Sequence, residues 1–168
     1  NPIEQWSHEL LVDKGEIGEI VVKGDVVTRH YFERPQVELA AKIQDGDEFW
    51  HRMGDVGWQD NKDRVWFCGR KSHRVITENG PLFTIPCEAV FNEHDDVFRT
   101  ALVGPTVDGK VTPVLCVELE PGVTDRERVA ATLLEMAAQH EHTRAIRRVL
   151  FHPGFPVDIR HNAKIGRE

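Results

Sequence analysis

The spacing of hydrophobic positions divides the chain into two regions that predict different secondary structure. Up to about residue 71, short apolar runs are separated by turns rich in glycine and polar residues. This pattern is typical of short β-strands. After that point, apolar residues at helical spacing alternate with strand-like runs. We therefore expect a β-rich first part and an α+β second part.

The first part centres on a predicted β-hairpin over residues 49–71. Val56 and Trp58 lie on one arm, residues 61–63 form a polar turn, and the apolar run of residues 65–68 forms the other arm. Two such runs joined by a short polar turn favour antiparallel pairing. The hairpin also carries three of the four tryptophans of the chain.

Two further elements are predicted before the hairpin. Residues 15–24 read as a strand bounded by glycines, and Val26 and Val27 continue in extended form. Pro35 is suited to the first turn of a short helix, which the apolar spacing extends through Ile43. A turn at residues 45–47 then ends that helix.

The second part begins with a predicted helix and hairpin. We expect the helix to start at Pro86, with Ala89, Val90 and Phe91 on its buried side. A strand over residues 97–104 and a return strand over residues 111–119 follow, joined by the turn signal of an Asp-Gly pair.

Two residues refine the predictions for this region. Pro113 places the return strand at a sheet edge, because proline cannot donate to a strand ladder. Thr124 and Glu127 have the spacing of a capping box, which opens a second helix.

The second helix has a distinct apolar face. The predicted face consists of Val129, Leu133, Met136 or Ala137, and His140. We expect the helix to end near His142. Residues 144–151 then predict a strand, or a helical turn leading into one, and the tail follows.

Composition and charge argue against several classes of function for this protein. The chain has 168 residues and a formal net charge of −7, which argues against bulk electrostatic binding to nucleic acid or anionic membrane. No apolar run is long enough for a transmembrane segment. The N-terminus has neither a signal-peptide pattern nor an initiator methionine. We therefore expect a truncated protein without a transmembrane segment.

The cysteine and histidine residues do not have the spacing of a metal-binding motif. The spacing of Cys68, Cys87 and Cys116 fits no zinc site, and their apolar neighbours predict buried free thiols in a reducing cytoplasm. His140 and His142 are two residues apart, so they point to different faces of a helix. No metal site is expected within the chain.

The two ends of the predicted hairpin carry opposite charges. Asp55 lies where the hairpin starts and Arg70 where it ends, so antiparallel pairing brings them together. A carboxylate can accept hydrogen bonds from a diol, and a guanidinium can bind phosphate. The pair is therefore either a surface salt bridge that closes the hairpin or part of a nucleotide site.

Four segments, in order, resemble motifs of the adenylate-forming enzymes, a family that includes acyl-CoA ligases, luciferases and peptide-synthetase adenylation domains. The segments are GEIGEIVVKG at residues 15–24, HRMGD at residues 51–55, WFCGRK at residues 66–71 and NAKI at residues 162–165. The resemblance covers nearly the whole chain. It implies an α+β fold with the end of a β-barrel subdomain over residues 1–70 and a mobile lid domain over residues 71–168.

The resemblance also implies roles for single residues. Asp55 matches the aspartate that holds the ribose hydroxyls of ATP, and Arg70 matches an arginine that contacts ribose or phosphate. Lys164 matches the catalytic lysine that stabilises charge at the α-phosphate during adenylation. Lys71 and Ser72 lie at the hinge position.

The expected cofactors are ATP and Mg²⁺. The phosphate loop and the magnesium site of the family lie upstream of the matched region, and the chain contains neither. We therefore expect a fragment that is inactive by itself.

Within the family, the chain resembles the β-lactone-forming branch of bacterial long-chain olefin biosynthesis. Four segments carry this resemblance: HRMGDVG, WFCGRKSHRV, TALVG and FPVDIRHNAKI. Ser72 departs from the usual hinge residue, Ala163 replaces a usual glycine, and residues 76–81 lack the glycine-rich run that lines the pantetheine path of CoA ligases. These departures fit attack by the β-hydroxyl of a β-hydroxy fatty acid on its own acyl-adenylate, without CoA.

Two alternatives remain open at this point. One is a long-chain fatty acyl-CoA ligase. The other is an inert lid-like interaction module, with the basic residues Arg144, Arg147 and Arg148 as its candidate partner surface. Other enzymes of olefin biosynthesis are possible partners of the lactone-forming enzyme.

Overall fold

The computed structural model describes residues 2–25, 27, 40–158 and 161–167, with the backbone alone for residues 161–164. The fold is α+β, as predicted from the sequence. Contacts within the chain divide it into two compact units, Asn1–Ser72 and His73–Glu168.

The first unit contains a four-stranded antiparallel sheet built around one long strand. Its strands are β1 (Gly18–Val22), β2 (Lys42–Asp45), β3 (Glu48–Gln59) and β4 (Val65–Arg70). β3 pairs with each of the other three. Among the described residues this sheet is open and does not close into a barrel.

The predicted hairpin and the glycine-bounded strand are confirmed. The hairpin is β3 and β4, with a turn at residues 61–63, and the strand is β1. The end of the predicted short helix is wrong, because Ile43 lies in β2, pairs with Trp50 and is 2% exposed. The turn after Asp45 therefore joins two strands. The predicted extended form is wrong at Val27, which lies in a bend where its N–H donates to Gly24 O at 3.1 Å. Pro35 and Val26 lie outside the described residues.

Within its described residues, the second unit contains two helices and several small sheets. The helices are α1 (Thr84–Phe91) and α2 (Arg126–Gln139). The three-stranded sheet has the order β11 (Val149–Phe151), β10 (Val114–Leu119), β7 (Val97–Val103), with β10 antiparallel to β7 and parallel to β11. Three hairpins complete the unit: β5 (Val75–Thr77) with β6 (Gly80–Leu82), β8 (Thr106–Val107) with β9 (Lys110–Val111), and β12 (Val157–Asp158) with β13 (His161–Ile165).

The core of the second unit lies between the helices and the three-stranded sheet. Val129, Leu133 and Ala137 of α2 recur at a spacing of four residues and are fully or almost fully buried. They belong to one cluster with Phe91 of α1 and Leu115 of β10. The core face predicted for α2 is thus confirmed with Ala137, but His140 is exposed and lies just past the helix end.

Two predictions for the elements of this unit are wrong in detail, and a third is confirmed. β10 is the central strand, and Pro113 lies just before it, so that the missing N–H interrupts no ladder. The α2 N-cap is Asp125, whose carboxylate accepts a hydrogen bond from Arg128 N at 3.0 Å, so the Thr124 capping box does not form. The Asp108-Gly109 turn is confirmed, and both residues have positive φ angles of 51° and 77°.

The first helix is shifted from its predicted position. α1 begins at Thr84, so Pro86 lies inside its first turn, where proline is tolerated. Phe91 is buried as predicted, but Ala89 is exposed and Val90 is only partly buried. The remaining buried positions are Thr84, Cys87 and Glu88.

Candidate nucleotide-binding site

Strand pairing brings Asp55 and Arg70 directly opposite each other. The two residues are register partners of β3 and β4, and Arg70 Nη1 lies 3.0 Å from Asp55 Oδ1. Gly54, immediately before Asp55, has a φ of 69°, a conformation that favours glycine. Pairing shifts by one residue at Cys68, and such a bulge redirects the side chains beside it.

The carboxylate of Asp55 retains capacity to accept hydrogen bonds. Its Oδ1 atom is buried and has no hydrogen-bond partner among the described residues, so the short contact with Arg70 lacks hydrogen-bond geometry. Arg70 donates instead to Met53 O at 3.2 Å, and its side chain is half exposed. A partly buried carboxylate with an unpaired oxygen beside an accessible guanidinium can bind a diol together with an anionic group.

A second charged cluster lies in the same sheet, and the sequence reasoning missed it. Arg52 donates two hydrogen bonds to Glu19 Oε2, from Nε at 3.1 Å and from Nη2 at 2.7 Å. Lys71 Nζ donates to the same oxygen at 2.5 Å. Burial by itself would raise the pKa of Glu19. The hydrogen bonds and positive charges of Arg52 and Lys71 outweigh it, so the pKa lies below its ordinary value.

This cluster ties three strands together near the site. Glu19 lies in β1, Arg52 in β3, and Lys71 directly follows β4. Arg52 is 8% exposed, and the Glu19 carboxylate lies 2.7 Å from its Nη2 atom, so a buried charge has an opposite charge in direct contact. Both Glu19 and Arg52 lie inside segments that carry the family resemblance, and that shared membership is the signal that could have revealed the cluster.

The remaining predicted residues are distributed over both units. Lys71 and Ser72 lie in a short 3₁₀ turn, Lys71–His73. Lys164 belongs to β13 of the second unit, and its side chain lies outside the described atoms. Asp55 and Arg70 belong to the first unit.

Near Lys164 in sequence, the second unit contains a buried ion pair that was also missed. Arg167 Nη1 lies 2.6 Å from Glu88 Oε1. Burial raises the pKa of Glu88, while the hydrogen bonds from Arg167 and from Leu102 N act in the opposite direction.

No candidate metal centre is found in the part of the chain that the structure describes, where no three His, Cys, Asp or Glu residues are grouped to hold an ion. Cys68, Cys87 and Cys116 are free thiols, the first two buried and the third partly buried. Burial raises the pKa of Cys87 to about 12, which makes this thiol unreactive. Within the described ranges, helices are too short or too polar to cross a membrane.

Known proteins are similar to the chain in sequence and in fold. It is 52% identical over 99% of its length to an olefin β-lactone synthetase of Xanthomonas campestris, and 49% identical over 99% of its length to one of Stenotrophomonas maltophilia. In each case this chain spans 31% of the length of the relative. The chain matches no protein-family model.

A solved structure extends the similarity to three dimensions. The O-succinylbenzoate coenzyme A synthetase of Bacillus subtilis, in complex with AMP, superposes with a TM-score of 0.77 at 22% identity. The match covers 98% of this chain and 32% of that one. At this level of identity the match establishes a common fold.

Proposed function

The chain belongs to the adenylate-forming enzymes, and we propose that it is the C-terminal part of an ATP-dependent enzyme that converts a long-chain β-hydroxy fatty acid to a β-lactone. The observation that carries the proposal is the Asp55–Arg70 pair, where a buried carboxylate oxygen without a hydrogen bond stands beside an accessible guanidinium. The high identity to two olefin β-lactone synthetases over nearly all of this chain supports the choice of product.

The reaction has two half-reactions. In the first, a carboxylate oxygen of the substrate attacks the α-phosphorus of ATP, and the bond to the β-phosphate breaks to release pyrophosphate. In the second, the β-hydroxyl oxygen loses its proton and attacks the acyl carbon. The bond from the acyl carbon to the phosphate oxygen then breaks, so that the lactone closes and AMP leaves.

The residues of this chain have separate roles in that scheme. Asp55 accepts hydrogen bonds from the two ribose hydroxyls, for which its unpaired oxygen is suited. Arg70 contacts ribose or phosphate. Lys164 stabilises the negative charge that develops at the α-phosphate in the first half-reaction. Lys71 and Ser72 form the hinge between a fixed part, residues 1–70, and a mobile lid, residues 71–168.

The donor groups of the described residues fit the nucleotide and not its metal. When bound, Mg²⁺ would neutralise phosphate charge, and we assign its ligands to the longer protein, since the described residues contain no suitable group. The free thiols are in keeping with a cytoplasmic enzyme. A fatty or β-hydroxy fatty acid is the substrate, and other enzymes of olefin biosynthesis are its expected partners.

Product analysis tests the proposal. The full-length enzyme is incubated with ATP, Mg²⁺ and a long-chain β-hydroxy acid, with and without CoA. Formation of β-lactone, AMP and pyrophosphate in the absence of CoA is expected. A thioester that forms only with CoA would instead identify a fatty acyl-CoA ligase, and absence of any pyrophosphate would leave only the interaction module.

A further inference from the structure

The tail of the second unit is held by a two-pronged ion pair. Arg167 donates from Nη1 to Glu88 Oε1 at 2.6 Å and from Nη2 to Glu88 Oε2 at 3.1 Å. This fork geometry fixes the orientation of both planar groups. The two side chains are only 13% and 8% exposed.

The same two groups complete the edge of the three-stranded sheet. β7 is an outer strand, and there Leu102 N donates to Glu88 Oε1 at 2.7 Å, while Leu102 O accepts from Arg167 Nη1 at 3.0 Å. The ion pair therefore occupies the place that a further strand would take. Helix α1, the sheet and the tail therefore meet at four atoms: Glu88 Oε1, Leu102 N, Leu102 O and Arg167 Nη1.

The energetics of such a pair favour a role in positioning. Removing two charges from water costs about as much as their attraction returns, and apolar residues of equal volume are often equally stabilising. Leu102 itself is fully buried in the core. A buried, bidentate pair thus contributes mainly by selecting one position for the tail.

The ion pair lies next to the end of β13. Ile165 pairs with Val157, and Gly166 N donates to Pro156 O at 2.8 Å, so the open end of the tail hairpin lies directly next to Arg167. Lys164 is three residues before Arg167, roughly 10 Å along an extended strand. An isolated two-stranded hairpin is at best marginally stable in water, so its placement depends on such an anchor.

We propose that the Glu88–Arg167 pair is a latch that holds the tail hairpin on the sheet and thereby positions Lys164 for adenylation. Glu88 and Arg167 are positioning residues, and they act through the lysine. The inference rests on the proposed function, because it assigns no chemistry to the latch apart from that of Lys164.

The first measurement uses the chain itself. Amide hydrogen exchange is compared for the wild type, Glu88→Gln and Arg167→Lys. Each variant removes one feature of the pair, the carboxylate charge or the guanidinium fork. Arg128→Gln is the control, because its partner Asp96 forms an ion pair in the same unit without a tail residue. In the two latch variants, amide exchange is expected to be faster at residues 157–167 and unchanged in β10. In Arg128→Gln, exchange at residues 157–167 should match that of the wild type.

The second measurement separates the half-reactions in the full-length enzyme. A misplaced catalytic group can cost about 10²-fold in rate. We expect Glu88→Gln and Arg167→Lys to slow pyrophosphate release by about 10- to 100-fold, with little change in the KM for ATP. Lactone closure from supplied acyl-adenylate should proceed at the wild-type rate.

Each other outcome contradicts the latch. Unchanged exchange at residues 157–167, wild-type pyrophosphate release despite faster exchange, or an equal loss in both half-reactions would each overturn it. Lys164→Ala distinguishes this failure from failure of the proposed function. If Lys164→Ala slows pyrophosphate release and the latch variants do not, only the latch is refuted.

Discussion

Arg70 Nη1 lies 3.0 Å from Asp55 Oδ1, yet that carboxylate oxygen remains without a hydrogen bond among the described residues. An ion pair that only closed a hairpin would be expected to align the guanidinium with the carboxylate, as Arg52 does with Glu19. The incomplete pairing of Asp55 favours the interpretation in which its missing partner is a ligand.

Replacement of Asp55 tests that interpretation. We expect Asp55→Asn in the full-length enzyme to raise the KM for ATP by about 10- to 100-fold, because hydrogen bonds to a charged group contribute about 1.5–3 kcal/mol. Steady-state kinetics with varied ATP measures the change. Asp60→Asn is the matched control, since Asp60 lies in the same hairpin and binds Arg64 and Trp66. An unchanged KM in Asp55→Asn would contradict the ribose assignment.

Lys164 is expected to act in the first half-reaction. Truncation of a group that stabilises transition-state charge commonly lowers the rate by about 10²- to 10³-fold, and we expect Lys164→Ala to slow pyrophosphate release by that amount. A continuous pyrophosphate assay measures it. Lys62→Ala, which changes an exposed lysine of the hairpin turn, should retain the wild-type rate. The proposed role is wrong if both variants release pyrophosphate equally fast.

The Glu19 cluster should contribute to the stability of the first unit. Glu19→Gln removes the carboxylate charge that Arg52 and Lys71 both contact, so the free energy of unfolding is expected to fall by about 1–3 kcal/mol. Urea denaturation, followed by tryptophan fluorescence, measures this change. Glu48→Gln removes a partner of Lys23 at an exposed position, and its effect should stay within about 0.5 kcal/mol. Equal effects of the two substitutions would show that the Glu19 cluster stabilises the first unit no more than an exposed ion pair does.

Asp60 predicts a specific dependence of stability on acid. Burial opposes the shift, but hydrogen bonds from Trp66, Arg64 and Lys62 lower the pKa of Asp60 from 3.8 to about 2. Because the folded pKa is lower than the ordinary value, the stabilisation is present above about pH 4 and is lost as the pH falls towards 2.

Thermal melting of the wild type and Asp60→Asn between pH 7 and pH 2 tests this dependence. The wild type should melt at the higher temperature near neutral pH, and the difference should shrink as the pH falls from about 4 to about 2. A difference that stays constant over that range would contradict the assignment.

Local patterns accounted for the elements whose formation depends on neighbouring residues. The hairpin of residues 49–71, the Asp108-Gly109 turn and the Val129–Leu133–Ala137 face of α2 are all confirmed. Each depends on strand alternation, helical spacing or turn chemistry, which act over a few residues. The same local reasoning failed at Ile43, where pairing with Trp50 selects a strand over the expected helix.

By itself, the sequence determined the family, the β3–β4 hairpin and the proximity of Asp55 to Arg70, because motif order and antiparallel register are properties of short segments. Only the tertiary structure decided that Arg52 and Lys71 share the Glu19 carboxylate, and that Arg167 closes on Glu88 and Leu102. Residues distant along the chain become partners only after folding has brought their strands together. Burial then makes each unpaired charge costly and so enforces the pairing.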